Sequence, residues 1–214
     1  MVVQEGHHWF PYFGALVVKT HISKSFQNKL LIEGKKSKQE RLLHTEKLVG
    51  MIKEEYAFED FEGWFMPEFL PLLSVYQDIF QKDWSETADA IQKPFEITKT
   101  ELWINYTKCR EFNPQHNHTG DLSFVIYLKI PQELREENER TKAKHNNNGT
   151  GTIDFNYGEN LLFNKTGFSH LPDEGDIYIF PSWLNHSVTP FFSDVERITV
   201  AGNIYLKRND WVHK

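Results

Sequence analysis

Hydrophobic spacing changes character near residue 97. Before it, apolar positions recur mainly at helical intervals; after it, they come in short β-rich runs divided by Gly, Pro and Asn. Phe10 to Thr20 reads as a first strand, since Ala15-Leu16-Val17-Val18 is apolar and β-branched at its end. Ser23 to Leu31 predicts a short helix, Lys35 to Arg41 a polar loop, and Thr45 to Glu54 a second helix through Leu48, Met51 and Ile52. Glu55 to Trp64 is acidic and aromatic and fits no template. Met66 to Phe80 is the strongest helical stretch, with Phe69, Leu70, Leu72, Leu73, Tyr76 and Phe80 forming a broad apolar face; Pro71 is expected to kink it or delay its start.

The β-rich part predicts strands at Thr98 to Lys108, Leu122 to Ile130, Thr152 to Phe155, Asn160 to Phe163, Asp176 to Phe180, His186 to Phe191 and Arg197 to Leu206. Several short strands with tight turns suggest a double-sheet barrel. The expected class is mainly β with flanking helices, in one domain spanning 1–214. Residues 1–96 form a helix-rich elaboration packed on the barrel and 97–206 the core. Residues 131–151, with the charged run Arg135 to Arg140 and the loop Asn146-Asn147-Asn148-Gly149, form either a solvated insertion or a lid.

Composition narrows the class. At 214 residues and 39% hydrophobic content the chain can bury a sizeable core. A net charge of −6 argues against a nucleic-acid backbone as partner. The single cysteine, Cys109, excludes an internal disulfide and a thiolate metal cluster. The start of the chain lacks a basic, apolar leader, and no run approaches membrane-spanning length. A cytoplasmic protein is expected, in the host cytoplasm if a phage encodes it, with a homodimer through exposed edge strands as one arrangement.

The chemistry gathers in two remote stretches. In extended backbone His116 and His118 of Gln115-His116-Asn117-His118 share a face. His186 follows a Gly-Asp turn, an apolar strand and Pro181, and is the natural third ligand. Three imidazoles leave coordination positions open, as a catalytic metal requires, and suit Fe, Zn, Ni or Cu alike. Asp121 is the competing ligand, through a turn at Thr119-Gly120. Arg197 and Thr199 share a strand face opposite Ile198 and Val200. An arginine facing a barrel interior is costly unless it meets an anion, so Arg197 is expected to clamp the far carboxylate of an organic acid whose other end chelates the metal. The alternative is a pairing with Asp194 or Glu196.

These residues resemble the Fe(II)/2-oxoglutarate-dependent dioxygenases, and within them a branch found in bacteria and their phages. The resemblance rests on His116-Asn117-His118 with Ser123 and Tyr127-Leu128, on Gly175 through Phe180-Pro181-Ser182-Trp183-Leu184 to His186 and Pro190, and on Arg197-Ile198-Thr199 before Ala201-Gly202-Asn203. It covers roughly residues 100 to 206. It implies a double-stranded β-helix of the jelly-roll, cupin-like kind. It further implies Fe(II) at His116 and His186, with His118 as the third ligand read from the spacing, and 2-oxoglutarate held by Arg197 with help from Thr199; Tyr127, and Asn105 or Tyr106 on the neighbouring run, are candidate contacts to cosubstrate or substrate. The implied reaction consumes O2, hydroxylates an organic or protein substrate and releases succinate and CO2. The superfamily usually carries Asp or Glu where this chain has His118, which makes the metal site one charge more positive. The second half also resembles the cupins, so a cupin-type metal enzyme without 2-oxoglutarate is one alternative. A non-catalytic β-barrel for binding or assembly is the other.

Overall fold

The computed structural model describes residues 3–5, 8–10, 14–44, 50–83, 95–145 and 149–207. Two sheets face each other as a double-stranded β-helix. One has six strands in the order β3(Val18–His21), β10(Asp176–Pro181), β7(Leu122–Lys129), β12(Arg197–Leu206), β5(Ile97–Thr107), β4(Glu55–Ala57). The other has four, in the order β6(Asn113–His116), β11(Asn185–Val188), β8(Ile153–Asn156), β9(Gly167–His170). All pairings are antiparallel. A separate ribbon pairs β1(Val3–Glu5) with β2(His8–Phe10).

The two-residue period of a strand assigns each side chain to one of two cores. Along β7, β10 and β12, Phe124, Ile126, Ile177, Ile179, Ile198 and Val200 belong to a cluster shared with helices α1(Lys24–Gln39) and α2(Glu62–Asp83). The alternate residues Tyr127, Tyr178 and Phe180 belong to a second cluster between the sheets, with Phe155, Leu184 and Phe191. Alpha-1 starts where Ser23 Oγ accepts from Phe26 N at 3.1 Å. It continues through the expected loop to Gln39, because Gly34 and Ser37 stay on its buried face. Alpha-2 runs through both Pro67 and Pro71: burial of Phe65, Phe69, Leu73 and Tyr76 outweighs the backbone bonds the prolines remove.

Several expectations change. The first strand is confined to Val18–His21, within the described residues. The helix expected over Thr45 to Glu54 lies partly outside the described residues; residues 50–54 are irregular, and Met51 N donates to Phe112 O at 2.8 Å. Asn160 to Phe163 is not a strand. Leu162 and Phe163 are fully or almost fully exposed there, and the ladder partner of β8 is β9 instead. Apolar content misled because these side chains have no sheet face to cover.

The charged segment forms α3(Gln132–His145). It is fastened to the barrel: Leu134 is buried, the Glu137 carboxylate accepts from the backbone N–H groups of Phe192 and Ser193, and Asn138 Nδ2 donates to Thr150 O at 2.6 Å. Burial alone would raise the Glu137 carboxyl, but the two backbone bonds to it and the Ser193 hydroxyl hold it below the usual carboxylate range.

Gly202 in β12 has no room for a side chain. A Cβ there would stand 2.3 Å from the Glu101 carbonyl oxygen and 2.5 Å from Phe124 Cζ. Gly202→Ala is expected to destabilise the fold by about 1–3 kcal/mol, since backbone must move to relieve the overlap. Urea unfolding checks this: the midpoint falls while the slope is unchanged, and an unaltered midpoint would refute the packing account.

Candidate active site

Strand pairing builds the site. Beta-11 lies beside β6 with His186 directly opposite His116. Beyond β6 the chain turns, and His118 N donates to Ser182 O at 2.9 Å, which brings the third ring to the same place. The ring centroids are 4.3 Å apart for His116–His186, 4.8 Å for His116–His118 and 5.0 Å for His118–His186. Their potential ligand atoms all lie within 4.8 Å of one another.

The rings are oriented for ligation. His116 Nδ1 lies 2.7 Å from Pro114 O, and His186 Nδ1 lies 2.9 Å from Leu184 O. A carbonyl can only accept, so each Nδ1 carries the proton and each Nε2 keeps its lone pair. Burial lowers the pKa of all three, with mutual repulsion adding to it at His118 and His186, which fall to about 4 and about 3. Neutral, converging imidazoles are what a divalent cation needs. Phe180 and Phe155 pack around His186, and Trp103 lies beside His118.

Asp121 is not among the converging groups. Its Oδ2 accepts from Leu206 N at 2.8 Å, and its backbone pairs with Ile204 and Ser182. Trp183 is half exposed and packs on Tyr157, 5.5 Å away, rather than behind His186.

The same cavity is lined by the second constellation, Arg197, Thr199 and Tyr127. Beta-12 sits between β5 and β7, pairing Arg197 with Thr107 and Thr199 with both Asn105 and Tyr127. Arg197 is 2% exposed. Its Nη1 donates to Gly151 O at 3.1 Å, its guanidinium lies 5.6 Å from the Phe191 ring, and its Nε has no partner. Among the described residues no carboxylate pairs with it, Asp194 and Glu196 included. Burial lowers its pKa and also raises that of Tyr127. Thr199 Oγ1 accepts from Asn105 Nδ2 at 3.1 Å. Tyr106 faces the other way, into the helix-side core against Tyr56.

Among the lining residues that went unnoticed in the sequence are the oxygen-bearing Glu55, Thr107 and Asn113. Glu55 is buried, and burial, reinforced by the nearby Glu111, raises its pKa to about 7. No spacing rule could single it out, because its stretch matched no periodic template.

Residues 101–203 match the family described as "Putative 2OG-Fe(II) oxygenase". That span holds the three histidines, Arg197 and Thr199. No curated protein sequence is significantly similar to the chain. Among solved structures, a prolyl-4-hydroxylase from Pseudomonas putida is similar with a TM-score of 0.57 at 12% identity, covering 89% of this chain and 92% of its own. A prolyl hydroxylase from Trichoplax adhaerens, in complex with a peptide fragment of hypoxia inducible factor, is similar with a TM-score of 0.53 at 13% identity, covering 90% and 83%. These likenesses define the fold, that of the double-stranded β-helix oxygenases.

The matched span, residues 101–203, is that of a 2OG-Fe(II) oxygenase. It is an Fe(II)- and 2-oxoglutarate-dependent oxygenase, and the cupin-type and non-catalytic alternatives give way to that reading. The residues present fit both groups: three imidazoles whose potential ligand atoms converge, and a buried guanidinium whose Nε–H has no partner and which, among the described residues, pairs with no carboxylate. Among the described residues no helix is long and apolar enough to cross a membrane.

The depressed histidines set a pH dependence. Their folded pKa values lie below the unfolded value near 6.5, so the unfolded chain takes up protons that the folded one refuses. The stability they contribute is present above about pH 6.5 and is lost as pH falls toward 4, on the order of a few kcal/mol for His118. Metal-free protein should therefore lose urea resistance between pH 7 and 5. The His118→Gln, His186→Gln double variant should lose distinctly less; parallel declines would contradict the assignment.

Proposed function

We propose that His116, His118 and His186 hold the Fe(II), and that Arg197, Thr199 and Tyr127 bind 2-oxoglutarate, for hydroxylation of an organic substrate with release of succinate and CO2. The observation that carries this reading is the buried guanidinium without an acid partner, lining the same cavity as three converging imidazoles. A dry barrel keeps such a charge only where an anion is meant to meet it.

The side chains divide the work. Nδ1 protons given to Pro114 O and Leu184 O fix the tautomers of His116 and His186 and aim their Nε2 atoms inward. Arg197 offers its free Nε–H to the distal carboxylate, and Thr199 and Tyr127 add hydroxyl donors from the paired positions of β12 and β7. Thr199 Oγ1 takes a hydrogen bond from Asn105, which leaves its own proton for the acid. Phe155, Phe180 and Trp103 exclude water around the histidines. Bound in this frame, Fe(II) and 2-oxoglutarate supply the oxidising chemistry that inserts one oxygen of O2 into a C–H bond. The chain works in the cytoplasm, where its single Cys109 stays reduced.

Substitution of Arg197 by Ala tests the assignment. Affinity for 2-oxoglutarate, read by anaerobic titration of the Fe(II)-loaded protein through its visible charge-transfer band, should fall about 100-fold. Affinity for the metal alone should change by less than about threefold. Equal loss of both, or loss of neither, would remove Arg197 from the cosubstrate site. A second test concerns the metal: His186→Ala should abolish stoichiometric Fe(II) or Zn(II) binding in equilibrium dialysis, whereas Asp121→Asn should retain it.

A further inference from the structure

Four buried oxygen atoms lining the cavity have no hydrogen-bond partner: Glu55 Oε2, Asn105 Oδ1, Thr107 Oγ1 and Asn113 Oδ1. Glu55, Asn105 and Thr107 are 1%, 5% and 0% exposed, so solvent does not serve them from outside the cavity. Strand register explains their grouping. Beta-4 places Glu55 opposite Asn105 on β5, and Thr107 lies two residues further on the same face. The amide of Asn105 is oriented by its bond to Thr199, so its oxygen is the end left over.

Charges along this edge are sorted by face. Lys38 and Lys108 both pair with Glu54, whose side chain points the opposite way from its neighbour. Glu55 receives neither lysine. Arg197 does not supply the missing charge, since Nη1 is held by Gly151 O and no ion pair joins it to Glu55. A buried carboxyl beside three further unpartnered oxygens is costly while no donor meets it. The two carboxamide oxygens accept only, the Glu55 carboxyl does so once ionised, and Thr107 can do either. The complementary ligand is therefore rich in N–H donors and positively charged.

We infer that Glu55, with Asn105, Thr107 and Asn113, forms the wall that recognises a cationic nitrogen group, an ammonium or a guanidinium, on the substrate. The inference rests on the oxygenase site proposed above. Arg197 and this wall then sort the two ligands of one cavity by charge: the acid goes to the guanidinium, the amine or guanidine to the carboxylate. Glu55 is a specificity residue in this account and takes no part in the chemical step.

Titration of the anaerobic Fe(II) protein with 2-oxoglutarate comes first; absence of binding removes the oxygenase reading itself. The 2-oxoglutarate complex is then titrated by calorimetry with Nα-acetyl-arginine methylamide and its neutral isostere Nα-acetyl-citrulline methylamide, and with the corresponding lysine and norleucine pair. The cationic member of at least one pair should bind about tenfold tighter or more, the worth of one charge-assisted bond. Glu55→Gln keeps the shape, removes the charge and should bring that pair to within about twofold. Thr107→Val, the second variant, should lower the same preference partially. Equal affinities within both pairs, no binding of either cation, or a preference retained by Glu55→Gln would each overturn the inference. The wild-type comparison stands whether or not a variant folds.

Discussion

Alternation along β12 governs both halves of the molecule. Because successive side chains face opposite ways, Ile198, Val200 and Ile204 close the helix-side core, while Arg197, Thr199 and Asn203 face the barrel. The strand is held on both sides, by β5 and β7, over most of its length. A slip of one residue would drive a guanidinium into packed phenylalanines and turn isoleucine toward the three histidines. The apolar face thus fixes the register, and the register fixes the chemistry. The helices α1 and α2 matter to function in this sense, though they contribute no ligand.

Polar groups inside the barrel carry an energetic burden that the fold alone does not relieve. Three imidazoles are kept neutral at close range, and among the described residues a guanidinium lacks an acid and a carboxyl on the opposite edge lacks a base. In the proposed reading each is a preorganised site whose cost is offset when its complement arrives. The arrangement also explains why the aromatic content is generous. Phe155, Phe180, Phe191, Tyr127 and Tyr178 fill the space between these groups and keep water from relieving them.

Much of this was legible in the residues. His116 and His118 announced themselves by their spacing, and the alternation Arg197-Ile198-Thr199-Val200 predicted two faces that the structure contains. The long strands were read nearly to the residue, since burial on both faces gives them dense β-branched runs. What failed was short or depended on distant partners. The stretch containing Glu55 is a strand of three residues, too brief for any period to emerge, and only the register with Asn105 gives it meaning. Leu161, Leu162 and Phe163 looked like a strand because composition does not reveal whether a neighbour exists to cover them. Asp121 was a plausible ligand by type, but its carboxylate is directed to the backbone at Leu206, a contact between segments far apart in the chain.

The bond from Arg197 to Gly151 joins the barrel to the chain outside it. Gly151 follows α3, which is itself moored at the 191–193 turn through Glu137. Lengthening or shortening that excursion would slide the carbonyl, and with it the cationic tip, along the barrel axis. Under the proposed assignment of Arg197 to the distal carboxylate, the reach of the guanidinium toward the histidines is then set in part by a backbone carbonyl that lies outside the barrel strands.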